Sequence, residues 1–341
     1  MVAIQAIRES NARIAELPSG LVALFLGATS GIGQSALIQF AKYAVRPRIY
    51  VVARPTSPTT ALLDELHKSN CEGIYTVIQK DVSLIRETSD VVEFIKSREN
   101  KLDLLFESIG FISFCGRQET VEGLDSSMTT RYYSRLRAVD GLLPLLNAAE
   151  SSRVVSILAG GLEGRMDEDD LGLCRDGNYS IIAASVHSAT MLTLAYEYLA
   201  RQNPGVSFVH AYPGAVATPL LSRGSTGLLR LLMTGFIHPL VKSFATPVDE
   251  AGARALFYLT SDRYSMKNGT VPLADGIEKS PLSAGGIFLS NEKSESVDNE
   301  KVLADFRARG VDKQVWTHTL EIFDTCAAIG RLEPLRPATK D

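Results

Sequence analysis

Apolar residues along this chain fall into short runs, separated by longer stretches in which they recur every three or four positions. The runs are LVALFL (21–26), RIYVVA (48–53), IYTVI (74–78), LDLLF (102–106), RVVSIL (153–158) and VSFVHAY (206–212). Between them, helical spacing opens at Gly31, continues through ALLDELHK and SDVVEFIKS, fills residues 125 to 148, and returns after Tyr179. Strands apolar on both faces, each followed by a helix, predict a doubly wound α/β fold with a mostly parallel sheet covered on both sides. Counting TVPL (270–273) as the last strand makes the sheet seven-stranded.

On this reading the main domain covers residues 1–275, with residues 1–17 as an amphipathic first helix packed on it. Residues 276–341 read as a C-terminal appendage: a polar, turn-rich AGGIFLSNEKSESVDNEK, then VLADFRARGVDKQVWTHTLEIF with helical spacing and Trp316, then a free RPATKD end.

Composition narrows the class of partner. With 45% apolar residues and a net charge of −4, the chain is an ordinary globular protein without the basic surface that nucleic acid or anionic lipid selects. A small molecule is the expected partner. Cys71, Cys115, Cys174 and Cys326 form no CxxC pair, so neither a zinc site nor a disulfide framework is predicted, and a reduced, cytoplasmic setting is expected. The N-terminal stretch carries Glu9 and Glu16 and lacks a signal-peptide core. No transmembrane segment is predicted, since no run reaches the ~18 apolar residues a span needs; GLLRLLMTGFIHPLV (227–241) comes nearest and is broken by Arg230 and His238.

The first chemical signal follows the first strand. GATSGIG places Gly27, Gly31 and Gly33 at a strand-to-helix junction, where missing Cβ atoms let backbone approach a pyrophosphate and the helix N-terminus offers free N–H groups. In an alternating β/α chain this predicts a dinucleotide site. The second strand ends in Arg54, where a ribose-binding site would want a carboxylate; a cation there suits the 2′-phosphate of NADP(H), or is simply a solvated surface residue. Asp81-Val82, after the third strand, either receives an adenine ring or caps the following helix.

These features, with ESIG (107–110) after the fourth strand and YPGAVAT (212–218) after the sixth, resemble in order and spacing the motifs of the short-chain dehydrogenase/reductase superfamily over residues 21 to about 275. The resemblance implies a Rossmann fold and a cofactor site made of Gly27, Ser30, Gly31, Ile32, Gly33, Arg54, Asp81, Val82, Gly110, Pro213, Gly214 and Thr218. RYYSR (131–135), GRQETVEGLD (116–125) and RVVSILAGG are similar to a fungal branch associated with secondary metabolism. The family's dimers imply a homodimer through the fourth and fifth helices of the fold.

The family's proton chemistry needs a tyrosine, a lysine one helical turn later that favours the phenolate, a serine and an asparagine. Counting back from Pro213, the tyrosine falls at Ser185 and the lysine at Ala189, the serine at Ala159 and the asparagine at Arg131. The usual tetrad is therefore absent. Tyr179, Ser185, His187 and Arg131 remain as candidate catalytic groups: a phenol reaching in from the loop, a hydroxyl at the expected position, a ring titrating near neutrality, and a cation for an anionic or enolic oxygen. Each also has a plain structural reading. Residues 219–246, rich in Leu and Phe with Gly224, Gly227 and Gly235, read as a lid over a hydrophobic substrate. An NADP(H)-dependent oxidoreductase of natural-product metabolism is the leading function; a non-redox isomerase or cyclase on the same fold, and a non-catalytic nucleotide-binding protein, are the alternatives.

Overall fold

The computed structural model describes residues 2–111, 113–218 and 245–332. Strands β1 (Val22–Leu26), β2 (Arg48–Ala53), β3 (Ile74–Gln79), β4 (Leu104–Glu107), β5 (Ser152–Ile157), β6 (Val206–Ala211) and β7 (Phe288–Ser290) form one parallel sheet. Their order is β3-β2-β1-β4-β5-β6-β7. It reverses between β1 and β4, and the crevice beyond the strand ends at such a switch point is where this architecture binds ligands.

Period-two alternation sorts side chains into two cores. Ala23 and Phe25 of β1 face the layer of α2 (Gly31–Tyr43) and α7 (Val248–Thr260), with Phe40, Phe106 and Phe257. Val22, Leu24 and Leu26 face the layer of α4 (Ile85–Lys96), α5 (Ser134–Ala148) and α6 (Ile181–Gln202), with Leu105, Val154 and Tyr196. The first helix, α1 (Ile4–Ala12), seals the α7 side through fully buried Ile7, and Asn11 donates to the Ala253 carbonyl at 2.9 Å.

The seventh strand is not TVPL. Val271 makes only an isolated bridge to Ser261, and Pro272 has no N–H to give a ladder. The edge pairing with β6 comes instead from Phe288–Ser290, beyond residue 275, where Val209, His210 and Ala211 face Phe288, Leu289 and Ser290. Three residues, only Phe288 and Leu289 of them apolar, inside a polar stretch are too short to show as a strand in the sequence.

The C-terminal helices α8 (Glu300–Ala308) and α9 (Val311–Leu332) turn at Gly310, which has φ +71°. Trp316 stacks on Tyr198 of α6 at 5.9 Å, and Arg307 pairs with buried Glu197 at 2.6 Å. A helix of the chain itself thus covers the outer side of α6, part of the surface through which a family-type homodimer was expected. Among the described residues no helix is long and apolar enough to cross a membrane.

Candidate active site

Gly27 has φ +87° and Gly31 φ +62°, a left-handed backbone that β-carbons resist. A Cβ on Gly27 would lie 2.5 Å from the Ile109 nitrogen, and one on Gly33 would lie 2.4 Å from Ser108 Oγ and 2.5 Å from the Gly27 oxygen. Ser108 Oγ donates to that same oxygen at 3.0 Å. The loop after β1, the first turn of α2 and the loop after β4 therefore close together only because these residues are glycine. Ser30 holds the N-cap of α2 in extended backbone, and Ile32 packs into the α2 core. Thr218 reaches the same place, its methyl carbon 3.2 Å from where a Gly31 Cβ would be.

Pro213 and Gly214 follow β6, with Gly214 at φ +72°. Arg54 stands exposed at the end of β2 and makes no ion pair among the described residues. Asp81 takes the turn-forming role: Oδ1 accepts from the Ser83 N–H at 3.0 Å, and its own N–H meets Glu87 Oε2 at 2.5 Å. Val82 is buried, its carbonyl accepting from Ser134 Oγ.

On the other side of the crevice, a helical rod starts at Ser126 and runs into α5. Asp125 caps it, accepting from the N–H of Met128 at 2.9 Å and of Gln118 at 2.8 Å. Residues Thr129–Tyr133 make a π turn closed by the Ser134 N–H on the Thr129 oxygen, a widening often found at functional sites. Tyr132 and Tyr133 leave it outwards, to Thr319 (2.6 Å) and His318 (2.8 Å) of α9. Arg131 lies inward, its Cγ 3.4 Å from where a Gly110 Cβ would be.

The Arg131 Nε donates to Ser188 Oγ at 3.0 Å, and Ser188 donates on to the Ser185 carbonyl at 3.1 Å. Burial, then the neighbouring Arg135, lower Arg131 to about 10, so it stays a cation at neutral pH. Tyr179 donates to Asp125 Oδ1 at 3.3 Å. Burial first and Asp125 next push its phenol up to about 12, while Arg131 acts in the opposite sense. The hydroxyl therefore keeps its proton at neutral pH.

Gly110, Arg131 and Ser188 are thus drawn together and Tyr179 bonds Asp125 at the start of the same rod, whereas Ser185 contributes a backbone oxygen and Ala189 is buried. His187 is occupied elsewhere. Its Nε2 accepts from the Asp167 N–H at 3.1 Å, and burial lowers its pKa, which makes it a neutral strut for the loop before α6. At the expected serine position, the Ala159 N–H is held by Nε2 of His210 at 3.0 Å; burial drives that ring down to about 3 and keeps it neutral.

Ser188 and Asp125 carried no signal in the sequence, since each acquires its role only through contacts between separate elements. The expected lid at 219–246 lies, apart from its last two residues, outside the described ones. Of the residues on either side, Thr246 pairs with the backbone at Val216, donating to the Ala215 oxygen (2.8 Å) and accepting from the Ala217 N–H (3.2 Å).

A family model described as short chain dehydrogenase matches residues 21–227. The NmrA-like family domain-containing oxidoreductase notO of Aspergillus sp. is 50% identical over 333 residues, 97% of this chain and 98% of that one. Oxidoreductase AN1596 of Emericella nidulans is 39% identical, spanning 95% and 98% of the two chains. Among solved structures, KRED1-Pglu superposes with a TM-score of 0.51 at 16% identity over 72% of this chain and 99% of its own. L-sorbose reductase from Gluconobacter frateurii, complexed with NADPH and L-sorbose, gives 0.52 at 18% identity over 71% and 90%. These two show the likeness of fold.

Proposed function

The chain belongs to the short-chain dehydrogenase/reductase family, a family of oxidoreductases, and from that premise we propose that it is an NADP(H)-dependent enzyme acting on a hydrophobic small molecule of natural-product metabolism. The glycine cradle fits a dinucleotide, because bare Gly27 and Gly33 let the loop after β1 and the loop after β4 pack tightly against the start of α2, whose free N–H groups would face a pyrophosphate. Gly27, Ser30, Gly31, Ile32 and Gly33 would hold the pyrophosphate and Arg54 the 2′-phosphate. Asp81 and Val82 would take the adenine, and Gly110, Pro213, Gly214 and Thr218 the nicotinamide end. When bound, the cofactor supplies or accepts a hydride.

One observation carries the chemistry: Arg131 reaches Ser188 beside Gly110. Small residues at 185, 188 and 189 stand on the helix where a tyrosine and a lysine are usual, and the cation comes from the facing rod. Arg131 would steady negative charge on the substrate oxygen, and Tyr179, protonated at neutral pH, would donate to it. A donor of this kind suits the reducing direction. The Leu- and Phe-rich sequence of 219–246 favours an apolar substrate, and the free cysteines suit a reduced, cytoplasmic setting.

The test is a fluorescence titration of the full chain with NADPH and NADH, followed by incubation with a panel of apolar ketones and conjugated enones. Binding of NADPH at least about tenfold tighter than NADH, with cofactor oxidised one-for-one with product, is expected. Turnover without net oxidation would make the protein an isomerase or cyclase, and failure to bind either cofactor would overturn the proposal.

A further inference from the structure

Two arginines, Arg135 and Arg153, are each only 1% exposed, and they lie at opposite ends of the sheet. Arg153 is near the start of β5 and donates to the carbonyls of Tyr258 (2.8 Å) and Ser261 (2.7 Å). Arg135 leaves the first turn of α5 toward the strand ends that border the crevice. Its Nη1 meets the Glu107 oxygen at 3.0 Å, Ser156 Oγ at 2.6 Å and the Ile157 oxygen at 3.2 Å, and its Nη2 donates to the Ile109 oxygen.

Glu107 ends β4, Ile157 ends β5, and Ile109 immediately precedes Gly110. A single planar fork therefore ties two central strands to the loop that floors the candidate site. The Glu107 carboxyl group lies close by: Oε2 accepts from the hydroxyls of Tyr196 (2.7 Å) and Ser156 (3.2 Å), and Oε1 has no hydrogen-bond partner among the described residues. Stability alone does not account for a buried guanidinium, since an apolar side chain of similar volume holds a helix to a sheet without the desolvation penalty. What the fork adds is a fixed spacing among several carbonyl oxygens. One turn earlier, Arg131 lays its stem over Gly110 from the same rod.

We propose that Arg135 is a positioning residue for the site: it fixes the Ser108–Gly110 loop against the ends of β4 and β5, and so sets both the cofactor floor and the place where Arg131 stands. The cofactor part rests on the function proposed above; the part concerning the loop does not. The experiment compares full-length wild type with Arg135→Met, Arg135→Lys, the double variant Arg135→Met/Glu107→Gln, and Arg153→Met as an equally buried control. Two quantities are read: amide hydrogen exchange in peptides covering residues 107–111, and NADPH affinity by fluorescence.

Exchange at 107–111 is expected to quicken, and NADPH affinity to fall, each by about tenfold or more in Arg135→Met and in the double variant. Arg135→Lys, which keeps the charge and loses the fork, is expected not to restore either, and Arg153→Met to leave both as in wild type. The proposal is overturned if Arg153→Met loosens 107–111 equally, if exchange rises uniformly along the chain, or if the Arg135 variants leave 107–111 unchanged. A wild type that does not bind NADPH would remove the cofactor proposal, while the exchange data would still decide the role of Arg135.

Discussion

Arg131 and Ser188, on two different helices, meet at 3.0 Å beside Gly110. Tyr179 has no lysine one turn downstream, yet Arg131 is the cation whose charge its phenol senses. On the proposed function, the relation that the family arranges along one helix would be arranged here across two.

Replacing that cation should affect catalysis more than binding. For Arg131→Met, the NADPH oxidation rate with an accepted substrate is expected to fall roughly 10²- to 10³-fold, the range seen when one donor to a developing oxyanion is removed. Stopped-flow kinetics beside an NADPH titration separate the two effects. Equal losses in rate and in cofactor affinity would assign Arg131 to the fold or the cofactor site.

Tyr179→Phe removes the proposed donor and should slow turnover by about 10² to 10⁴. Since the phenol sits at about 12, the wild-type rate of reduction should show no downward limb from its ionisation between pH 7 and pH 10. A limb in that window that disappears in the phenylalanine variant would contradict the assignment.

Gly33→Ala places a carbon 2.5 Å from the Gly27 oxygen, a backbone atom that cannot move aside cheaply. Loss of NADPH binding is expected, with a destabilisation of about 1–3 kcal/mol from overpacking, readable as a lower midpoint in urea. Unchanged affinity would place the dinucleotide elsewhere.

Glu107 gives a prediction about pH. Burial raises its carboxyl from 4.5 to about 7, so the folded state favours the protonated form. The stability this contributes is complete below about pH 4.5 and is lost as pH rises through about 7. Glu107→Gln, neutral throughout, should flatten that decline, with a gain at pH 8 on the order of 3 kcal/mol relative to its effect at low pH. Urea denaturation at several pH values reads it, and a variant whose pH dependence parallels wild type would refute the burial argument.

The fold was legible because six strands are long, apolar runs and the helices between them repeat at helical spacing. β7 was not, because Phe288–Ser290 is only three residues and owes its pairing to the β6 edge, while TVPL has strand-like residues with a proline among them. At the site, the glycines could be read from their spacing at a strand-to-helix turn, but their packing on Ser108 and Ile109 of the loop after β4 could not. The Arg131–Ser188 contact could not: RYYSR shows two arginines four apart, but which side each takes is set by the π turn at Thr129–Tyr133 and by the tyrosines anchored on α9. His187 looked chemical by residue type alone, and the loop it supports is invisible until the chain is folded.

The central claim, redox chemistry at a site whose cation comes from Arg131, is tested most directly by isotope transfer. Full-length protein is incubated with NADPH bearing deuterium at the transferable C4 position and the same panel of apolar ketones and enones, and products are weighed by mass spectrometry. One deuterium in the product for each NADPH oxidised, at a rate sharply reduced in Arg131→Met, is the predicted result. A substrate converted with no deuterium gained and no NADPH consumed would contradict it.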